Sequence, residues 1–430
     1  MGSLGTHTPQ SALSELAEKV FASTKHLEAF LDAEHLPQPS FAADGPTYVV
    51  PKTAHKATQN ARVAVAEAAL KLFNLVSGPS ELLPNITANY HTMFSLQWLL
   101  HFDIFSHVPL TGTTTYSALA AAAKVPESQL KSVARMAMTS AILVEPETGF
   151  VAHTANSAMF LHAPAMRDWA GYMFEASIPT AAAMVEATER WPGSTQKTET
   201  AYNVAFKHDL PFFDHLSQNE QLTAQFSRYM KSVTDGQAMD LSHLVNGFDW
   251  KSLADGSLVV DIGGSTGHGS LALAVAYPHL EFQVQDLDVV ASKQSTTATR
   301  VSFKSHDFFQ PQPTIGASVY LLRMIIHDWP DAEAQTILRN IVPALTAEES
   351  TLLIMDTVLP LSGKMPSIRE RVIRTRDLTM RQVFNAQERG LEDWEALLKS
   401  ADPRLELRHV EQPDGSNMSL LTVKLKAGGS

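Results

Sequence analysis

The sequence predicts a protein of the α/β class, with a mostly helical first half and a mostly parallel sheet in the second half. Two observations predict this. After about residue 258, short apolar strands alternate with helices, as expected when crossover helices join parallel strands. Earlier in the chain, long amphipathic and apolar stretches have helical spacing. Because 430 residues are too many for one core, we expect two domains, at 1–240 and 241–430.

The strongest local signal is a strand followed by a glycine-rich turn. Leu258 to Ile262 is an apolar run with one acid, typical of a buried parallel strand. Gly263 and Gly264 come next, and the following strand ends at Asp286. Glycines let a backbone approach a ligand closely, and an acid about 20 residues further on is placed to bind ribose hydroxyls. The pattern therefore predicts a ligand that contains a ribose.

Two glycine patterns overlap in this turn. The letters GxGxxA at 267–272 fit a dinucleotide-binding pattern, but they begin too far beyond the strand. The letters DxGxSxG at 261–267 begin with an acid at the strand end and resemble the D/E-x-G-x-G-x-G motif of class I S-adenosylmethionine (SAM) methyltransferases. A tight turn without a ligand is the alternative. A complete βαβ unit with Asp286 at its second strand makes that alternative weaker.

Composition narrows the class of protein. A formal net charge of -12 argues against nucleic acid as a partner, since phosphates need a basic surface. The absence of cysteine excludes disulfides, thiolate metal sites and a cysteine nucleophile. No apolar stretch is as long as a membrane span, and the N-terminus lacks the apolar region of a signal peptide. We expect a cytoplasmic enzyme without a membrane partner.

Within the first half, residues 90–160 have the order of a winged helix. Two short helices precede a hairpin of strands predicted at 142–144 and 150–152. Acidic side chains offset the basic ones, so we expect a dimerisation module and not a DNA reader. The apolar helix at 89–102 is expected to be buried, in a helical domain or in a subunit interface.

A second candidate site follows the strand predicted at 317–324. His327 opens the letters HDWP at the carboxyl end of that strand, where open α/β sheets bind ligands. A lone histidine is usually structural, but one at a strand end before a new helix is a candidate general base. Phe226 and Met230 lie one turn apart on one face of a predicted helix, as either core or the wall of a pocket.

Together these motifs resemble the small-molecule O-methyltransferases, the plant caffeate-type enzymes and their fungal secondary-metabolite relatives. The resemblance extends over residues 90–430 and includes KSHDFF at 304–309, HDW at 327–329 and NAQER at 385–389. It implies a Rossmann-like SAM-methyltransferase domain with a mostly parallel seven-stranded sheet, preceded by an α-helical winged-helix dimerisation domain. It also implies SAM as cofactor, a small-molecule substrate and a homodimer.

The resemblance further implies roles for single residues. His327 matches the catalytic base, and Glu388 and Asp356 match the two carboxylates that hold its ring, although the family has a longer glutamate at the position of Asp356. Phe226 and Met230 match a helix that faces the substrate. No metal is required. The positions that match SAM contacts are Gly263, Gly264, Asp286, Leu287, Asp307, Phe308, Arg323 and Trp329.

The expected reaction is methyl transfer from SAM to a hydroxyl of an aromatic or polyketide-like metabolite. A phenol, with a pKa of about 10, is a weak nucleophile at neutral pH, so a base such as His327 must take its proton. The alternative is a pericyclase or cyclase that keeps the fold and binds SAM without methyl transfer. Since fold does not fix chemistry, both stay open, and the presence of His327 favours methyl transfer.

Overall fold

The structure is a computed structural model. It describes residues 11–51, 54–234, 236–287, 300–347 and 349–426. The described residues up to Phe174, with Pro366–Ile368, form one compact unit, and the other described residues form a second. Residues 1–10 and 427–430, at the outer ends of the two predicted domains, lie outside the described residues. The functional division of the chain at residue 240 stays a prediction.

The first unit is mainly helical. Its helices are α1 (Ala12–Ala33), α2 (Lys56–Ser77), α3 (Leu82–His101), α4 (Ile104–His107), α5 (Tyr116–Ala123), α6 (Glu127–Met138), α7 (Ala155–His162) and α8 (Pro164–Tyr172). Side-chain caps fix where several of them begin. The Thr115 hydroxyl accepts from the Ala118 amide at the start of α5, and Thr154 forms a capping box with Ser157 at the start of α7. No helix in the described part of the chain is both long and apolar enough to cross a membrane.

A small antiparallel sheet follows α6. Its strands, in the order β1-β3-β2, are β1 (Thr114–Thr115), β2 (Val144–Glu147) and β3 (Phe150–Ala152). The prediction of a strand at 142–144 was wrong by two residues. Ala141 and Leu143 have φ angles of 54° and 70°, so the chain is left-handed there and becomes extended only at Val144.

Helix α3 is less buried than its apolar sequence predicts. Leu99 is fully covered, but Tyr90 and Phe94 are 43% and 45% exposed. The helix is apolar on more than one face, and the rest of the unit covers only one of them. Of the two predicted environments of this helix, a helical domain or a subunit interface, the exposed side chains favour the second, which stays a prediction.

The second unit carries shorter helices around a large sheet. They are α9 (Ile178–Ala182), α10 (Met184–Arg190), α11 (Ala201–Phe206), α12 (Phe212–Ser217), α13 (Glu220–Thr234), α14 (Ser242–Asn246), α15 (His268–Ala276), α16 (Asp331–Ile341), α17 (Ser367–Phe384) and α18 (Leu391–Ala401). The first two residues of α17 belong to the first unit. Residues 198–233 contain three separate helices, α11, α12 and α13. Lys207 ends α11 in the left-handed conformation, and Pro211 precedes α12.

Within the described residues, the large sheet has seven strands in the order β11-β12-β8-β7-β4-β5-β6. The strands of this unit are β4 (Leu258–Ile262), β5 (Glu281–Asp286), β6 (Val301–Ser305), β7 (Val319–Arg323), β8 (Thr351–Asp356), β9 (Val358–Leu359), β10 (Arg389–Gly390), β11 (Leu405–Glu411) and β12 (Ser419–Leu425). Strand β12 is antiparallel to both neighbours, and the other pairs from β8 to β6 are parallel. The predicted mostly parallel sheet is thus confirmed, and its last two strands form an antiparallel hairpin.

Both faces of this sheet are buried. Along β4, Val259 packs with Trp250 on one face, and Val260 packs with Ile337 of α16 on the other. Fully burying such side chains stabilises the fold by about 1.5–3 kcal/mol each. Register places the ends of β4, β5 and β7 side by side, since Ile262 pairs with both Gln285 and Leu322. The predicted site residues therefore meet at one edge of the sheet.

Candidate active site

The turn after β4 can be built only with glycine. Gly263 has a φ of 72°, and a Cβ there would lie 2.6 Å from Cδ1 of Ile325. A Cβ at Gly264 would lie 2.6 Å from Oδ2 of Asp261. Because neither position carries a side chain, the turn packs directly against Ile325 and Asp261 and forms a cradle of main chain at the end of the strand. Such a cradle fits a ligand that is held close to the main chain.

Two carboxylates brace this cradle. Asp286, at the end of β5, accepts hydrogen bonds from the amides of Ser265 and Leu287, each at 2.8 Å. Leu287 itself is 57% exposed. Asp261 is buried and accepts from the Ser270 hydroxyl at 2.7 Å, and burial raises the pKa of Asp261. Asp286 thus lies beside the glycine turn, where a ribose-binding acid is expected.

Aromatic rings border the same cradle. Phe308 lies 3.6 Å from the position of a Cβ on Gly263, and its ring meets Trp329 edge-on at 5.7 Å. Asp307 fixes this loop by accepting from the Phe309 amide at 2.9 Å. Flat apolar surfaces next to a ribose site fit a purine base. The structure therefore brings Asp307, Phe308 and Trp329 together with the glycine turn.

Arg323 ends β7 close to these groups. Its Nη2 donates to the carbonyl of Met239 at 3.2 Å, while its buried Nε has no partner among the described residues. Burial lowers the pKa of Arg323, and the negative charges of Asp261 and Asp356 oppose that effect. A buried donor without a partner is costly, so this guanidinium fits the acidic group of a ligand.

His327 lies in a short helical turn, Ile326–Asp328, directly after β7 and is only 4% exposed. Its Nδ1 is 2.9 Å from Oε1 of Glu388. The same oxygen accepts from Nε of Arg376 at 3.3 Å, and Asp377 accepts from the Glu388 amide at 3.1 Å. Since Glu388 holds Nδ1, the other ring nitrogen, Nε2, is the one available to a substrate.

Asp356, the second carboxylate predicted to hold His327, does not form a hydrogen bond with it. Asp356 ends β8 and is fully buried, but neither of its side-chain oxygens has a hydrogen-bond partner among the described residues. The expectation that Asp356 holds the ring of His327 is therefore wrong. The physical reason is that the side chain of aspartate is one methylene shorter than that of glutamate. Asp328 instead lies 3.5 Å from Nε2 through Oδ1.

Charge around His327 makes it a stronger base. Burial opposes its protonation, yet Glu388, Asp328 and Asp356 outweigh burial and raise the pKa of His327 to about 10. Burial raises the pKa of Asp328 to about 6 and that of Asp356 to about 7, although His327 opposes both. Burial also disfavours a charge on Glu388, but His327 and Arg376 hold its pKa below the ordinary value. The arrangement can accept and keep a proton.

Several known proteins are similar to this chain in sequence. The family model of the O-methyltransferase domain matches residues 193–402. The O-methyltransferase aurJ of Gibberella zeae is 66% identical over 98% of this chain and 100% of its own length. The chain belongs to this family. It is a SAM-dependent O-methyltransferase. The O-methyltransferase pgmB of Aspergillus terreus is similar too, at 46% identity over 97% of each chain.

Solved structures share the fold. OxaC in complex with SAH and oxaline has a TM-score of 0.73 at 23% identity, covering 96% of this chain and 99% of its own. A structure described as a pericyclic reaction enzyme has a TM-score of 0.72 at 22% identity, covering 95% of this chain and 100% of its own. At such low identity these likenesses show the fold of the methyltransferase and not its chemistry.

One arginine that the sequence did not single out fixes the turn that carries His327. Arg389 is 1% exposed, and its guanidinium donates to the carbonyls of Ile326 (3.1 Å) and Trp329 (2.9 Å). It also donates to the Asp331 carboxylate at 2.7 Å. Because Glu388 is its chain neighbour, this dipeptide holds both the ring of His327 and the backbone around it.

Sequence reasoning also missed Arg376 and Asp328. Asp328 could have been found by its position next to His327, whereas Arg376 gave no signal in the sequence.

The predicted substrate residues lie on α13. Phe226 packs edge-on against Phe212 at 5.2 Å, and Met230 is partly buried one turn further on. The structure therefore brings Phe226, but not Met230, into the aromatic cluster around α12.

Proposed function

We propose that the methyltransferase methylates a hydroxyl of an aromatic or polyketide-like secondary metabolite, with His327 as the general base. The observation that carries the proposal is the 2.9 Å pairing of His327 with Glu388 beside the glycine turn. A buried base at the carboxyl edge of the sheet, next to a nucleotide-type cradle, is suited to proton removal during group transfer.

The fit of SAM supports the proposal. The glycine cradle at Gly263 and Gly264, the carboxylate of Asp286 and the orphaned donor of Arg323 suit the backbone contact, ribose and acidic end of such a ligand. The other candidate contacts are Leu287, Asp307, Phe308 and Trp329. When bound, SAM supplies an electrophilic methyl group on a sulfonium, which is already a good leaving group. The protein must therefore mainly orient the acceptor and move its proton.

The proton step follows from the hydrogen bonds of His327. Glu388 accepts from Nδ1–H, so Nε2 carries the lone pair and can accept the proton of the acceptor hydroxyl. The charges of Glu388, Asp328 and Asp356 then stabilise the imidazolium. With a pKa of about 10, the neutral form of His327 is matched to a phenol of similar pKa, and the fraction of His327 in this competent form grows as the pH rises toward that value.

A pericyclase or cyclase is the second candidate. It is favoured by one observation, the fold shared with a pericyclic reaction enzyme. A rearrangement does not need a strengthened base with a fixed tautomer, and the His327–Glu388 pair therefore favours methyl transfer.

We further propose that residues 1–240 form the helical, dimerising part and 241–430 the SAM-binding part of a cytoplasmic homodimer. The order of α5, α6 and the β2–β3 hairpin supports a winged-helix module at about 90–160. The exposed apolar side chains of α3 support a subunit interface.

The test is incubation of the purified protein with SAM carrying a deuterated methyl group and a panel of phenolic polyketides, followed by mass spectrometry. We expect a product heavier by one labelled methyl group, together with S-adenosylhomocysteine. Consumption of an acceptor without a change of mass and without S-adenosylhomocysteine would contradict methyl transfer and support the rearrangement.

A further inference from the structure

A small cavity is lined by Asp328 and Trp329, the two residues that follow His327 in the chain. Its volume is about 130 Å³, close to the roughly 150 Å³ that holds one benzene ring. Asp328 connects it to the base, because this side chain lines the cavity and also lies 3.5 Å from Nε2. The cavity is lined by Lys197, Pro211, Phe212, Phe213, Asp214, Asp328, Trp329, Val383 and Phe384.

The walls of the cavity are flat and apolar. Phe213 and Phe384 are nearly parallel, with ring centroids 5.5 Å apart, and Phe212 meets Phe384 edge-on at 5.2 Å. Phe212 also contacts Phe226, the residue expected to face the substrate. Aromatic walls of this kind suit a planar ring. The cavity thus lies between Asp328, which faces the base, and Phe212, which contacts the predicted acceptor wall.

Lys197 is the cation of this cavity. Its Nζ lies 3.8 Å from the ring centroid of Trp329 and 5.4 Å from that of Phe309. The side chain is 28% exposed, and its ion pair with Glu333 is long, at 3.9 Å. Burial lowers the pKa of Lys197, against the opposing charges of Glu333 and Asp214. A partly desolvated ammonium with one distant ion pair retains capacity to bind an anion.

Asp328 and Asp214, the two carboxylates that line the cavity, leave the Lys197 ammonium able to bind an anion. Asp328 is directed at His327, and Asp214 is exposed to solvent. An aromatic ring in the cavity would therefore meet a hydrogen-bond acceptor at the Asp328 end and a cation at the Lys197 end. This polar pattern complements a neutral hydroxyl at one end of a ligand and a negative oxygen at the other.

We propose that this cavity, the Lys197 pocket, binds a ring of the acceptor and selects acceptors with an anionic oxygen substituent, which pairs with the Lys197 ammonium. The proposal rests on the proposed function, since it names the acceptor class of the same site. Lys197 is a specificity-determining residue in this account, and it takes no part in proton transfer.

The test uses two probes that differ by one carboxylate, 1,3-dihydroxynaphthalene and 5,7-dihydroxy-2-naphthoate, which is the same diol with a carboxylate at the far end of the other ring. Their dissociation constants are measured by calorimetry with S-adenosylhomocysteine present, so that no turnover is needed. We expect the wild type to bind the naphthoate about 10- to 100-fold more tightly than the diol, the usual effect of a charge-assisted contact. Lys197→Met should abolish this preference, whereas Lys197→Arg should keep most of it.

Lys251→Met is the matched control, because Lys251 is an exposed lysine of the same unit and lies outside the cavity. It should keep the preference of the wild type. A preference that persists in Lys197→Met overturns the proposal, as does equal or undetectable binding of both probes by the wild type. Weaker binding of S-adenosylhomocysteine by Lys197→Met also overturns it, since Lys197 would then belong to the cofactor site. Failure of methyl transfer in the labelled assay would leave these binding results standing, so the two failures are distinguishable.

Discussion

The glycine turn and the His327 cluster lie at the same edge of the sheet but are built by different means. The turn consists of main chain, and it depends on the absence of side chains at Gly263 and Gly264. The cluster consists of charged side chains that come from β8, α17 and the segments around His327 and Glu388. The turn should therefore be sensitive to added volume, and the cluster to changes of charge and pH.

The largest effect is expected from removal of the base. His327→Ala should lower kcat by about 10²- to 10⁴-fold, because the acceptor hydroxyl would lose the group that takes its proton. Labelled-methyl assays under single-turnover conditions measure this effect. Binding of S-adenosylhomocysteine should change little, as the glycine turn is intact. A variant with wild-type kcat would exclude His327 as the base.

A smaller effect is expected from added volume in the turn. Gly263→Ala should weaken binding of S-adenosylhomocysteine by about tenfold, since a Cβ at a φ of 72° is strained and would lie 2.6 Å from Ile325. Gly256→Ala is the matched control. Gly256 has a φ of 78°, but no atom lies within 4 Å of its Cβ position. Gly256→Ala should lose less thermal stability, because it adds strain without a clash, and it should keep its affinity in calorimetry. Equal loss of affinity in both variants would show that strain alone is responsible.

An effect of similar size, on kcat instead of on cofactor affinity, is expected at the arginine that holds the catalytic turn. Arg389→Lys keeps the charge but cannot make the forked contacts to Ile326, Trp329 and Asp331, so kcat should fall by about tenfold with KM nearly unchanged. Arg339→Lys is the control, because Arg339 also donates to backbone carbonyls, those of Ser400 and Ala401, away from the site. An equal loss of kcat in both variants would mean a general loss of stability.

The sequence predicts the turn better than the cluster for a physical reason. The signals of the turn lie within one βαβ unit, where strand pattern and glycine spacing are local properties. The cluster depends on which side chains meet across long separations. Helix α17 contains five arginines, and no local pattern indicates that Arg376 is the one that contacts Glu388.

Single side chains explain the remaining differences. Asp356 matched the family position of a glutamate that holds the base, but its shorter side chain forms no hydrogen bond with His327. A match of sequence positions does not reveal the distance between two side chains. The strand predicted at 142–144 begins only at Val144, because Leu143 adopts a left-handed backbone that its apolar character does not reveal. The exposed apolar side chains of α3 show that periodicity identifies a helix without identifying what covers it.

The most direct test of this account is the pH dependence of kcat/KM in the wild type, Glu388→Gln and Asp356→Asn. His327 must be neutral to accept a proton, so kcat/KM should rise with pH through its raised pKa of about 10. Loss of Glu388 removes a charge and a hydrogen bond that raise this pKa, and the rise should move to lower pH with a lower plateau. Asp356→Asn removes only a charge effect and should give a smaller shift in the same direction. An unchanged profile in Glu388→Gln, or a larger shift in Asp356→Asn, would contradict the account.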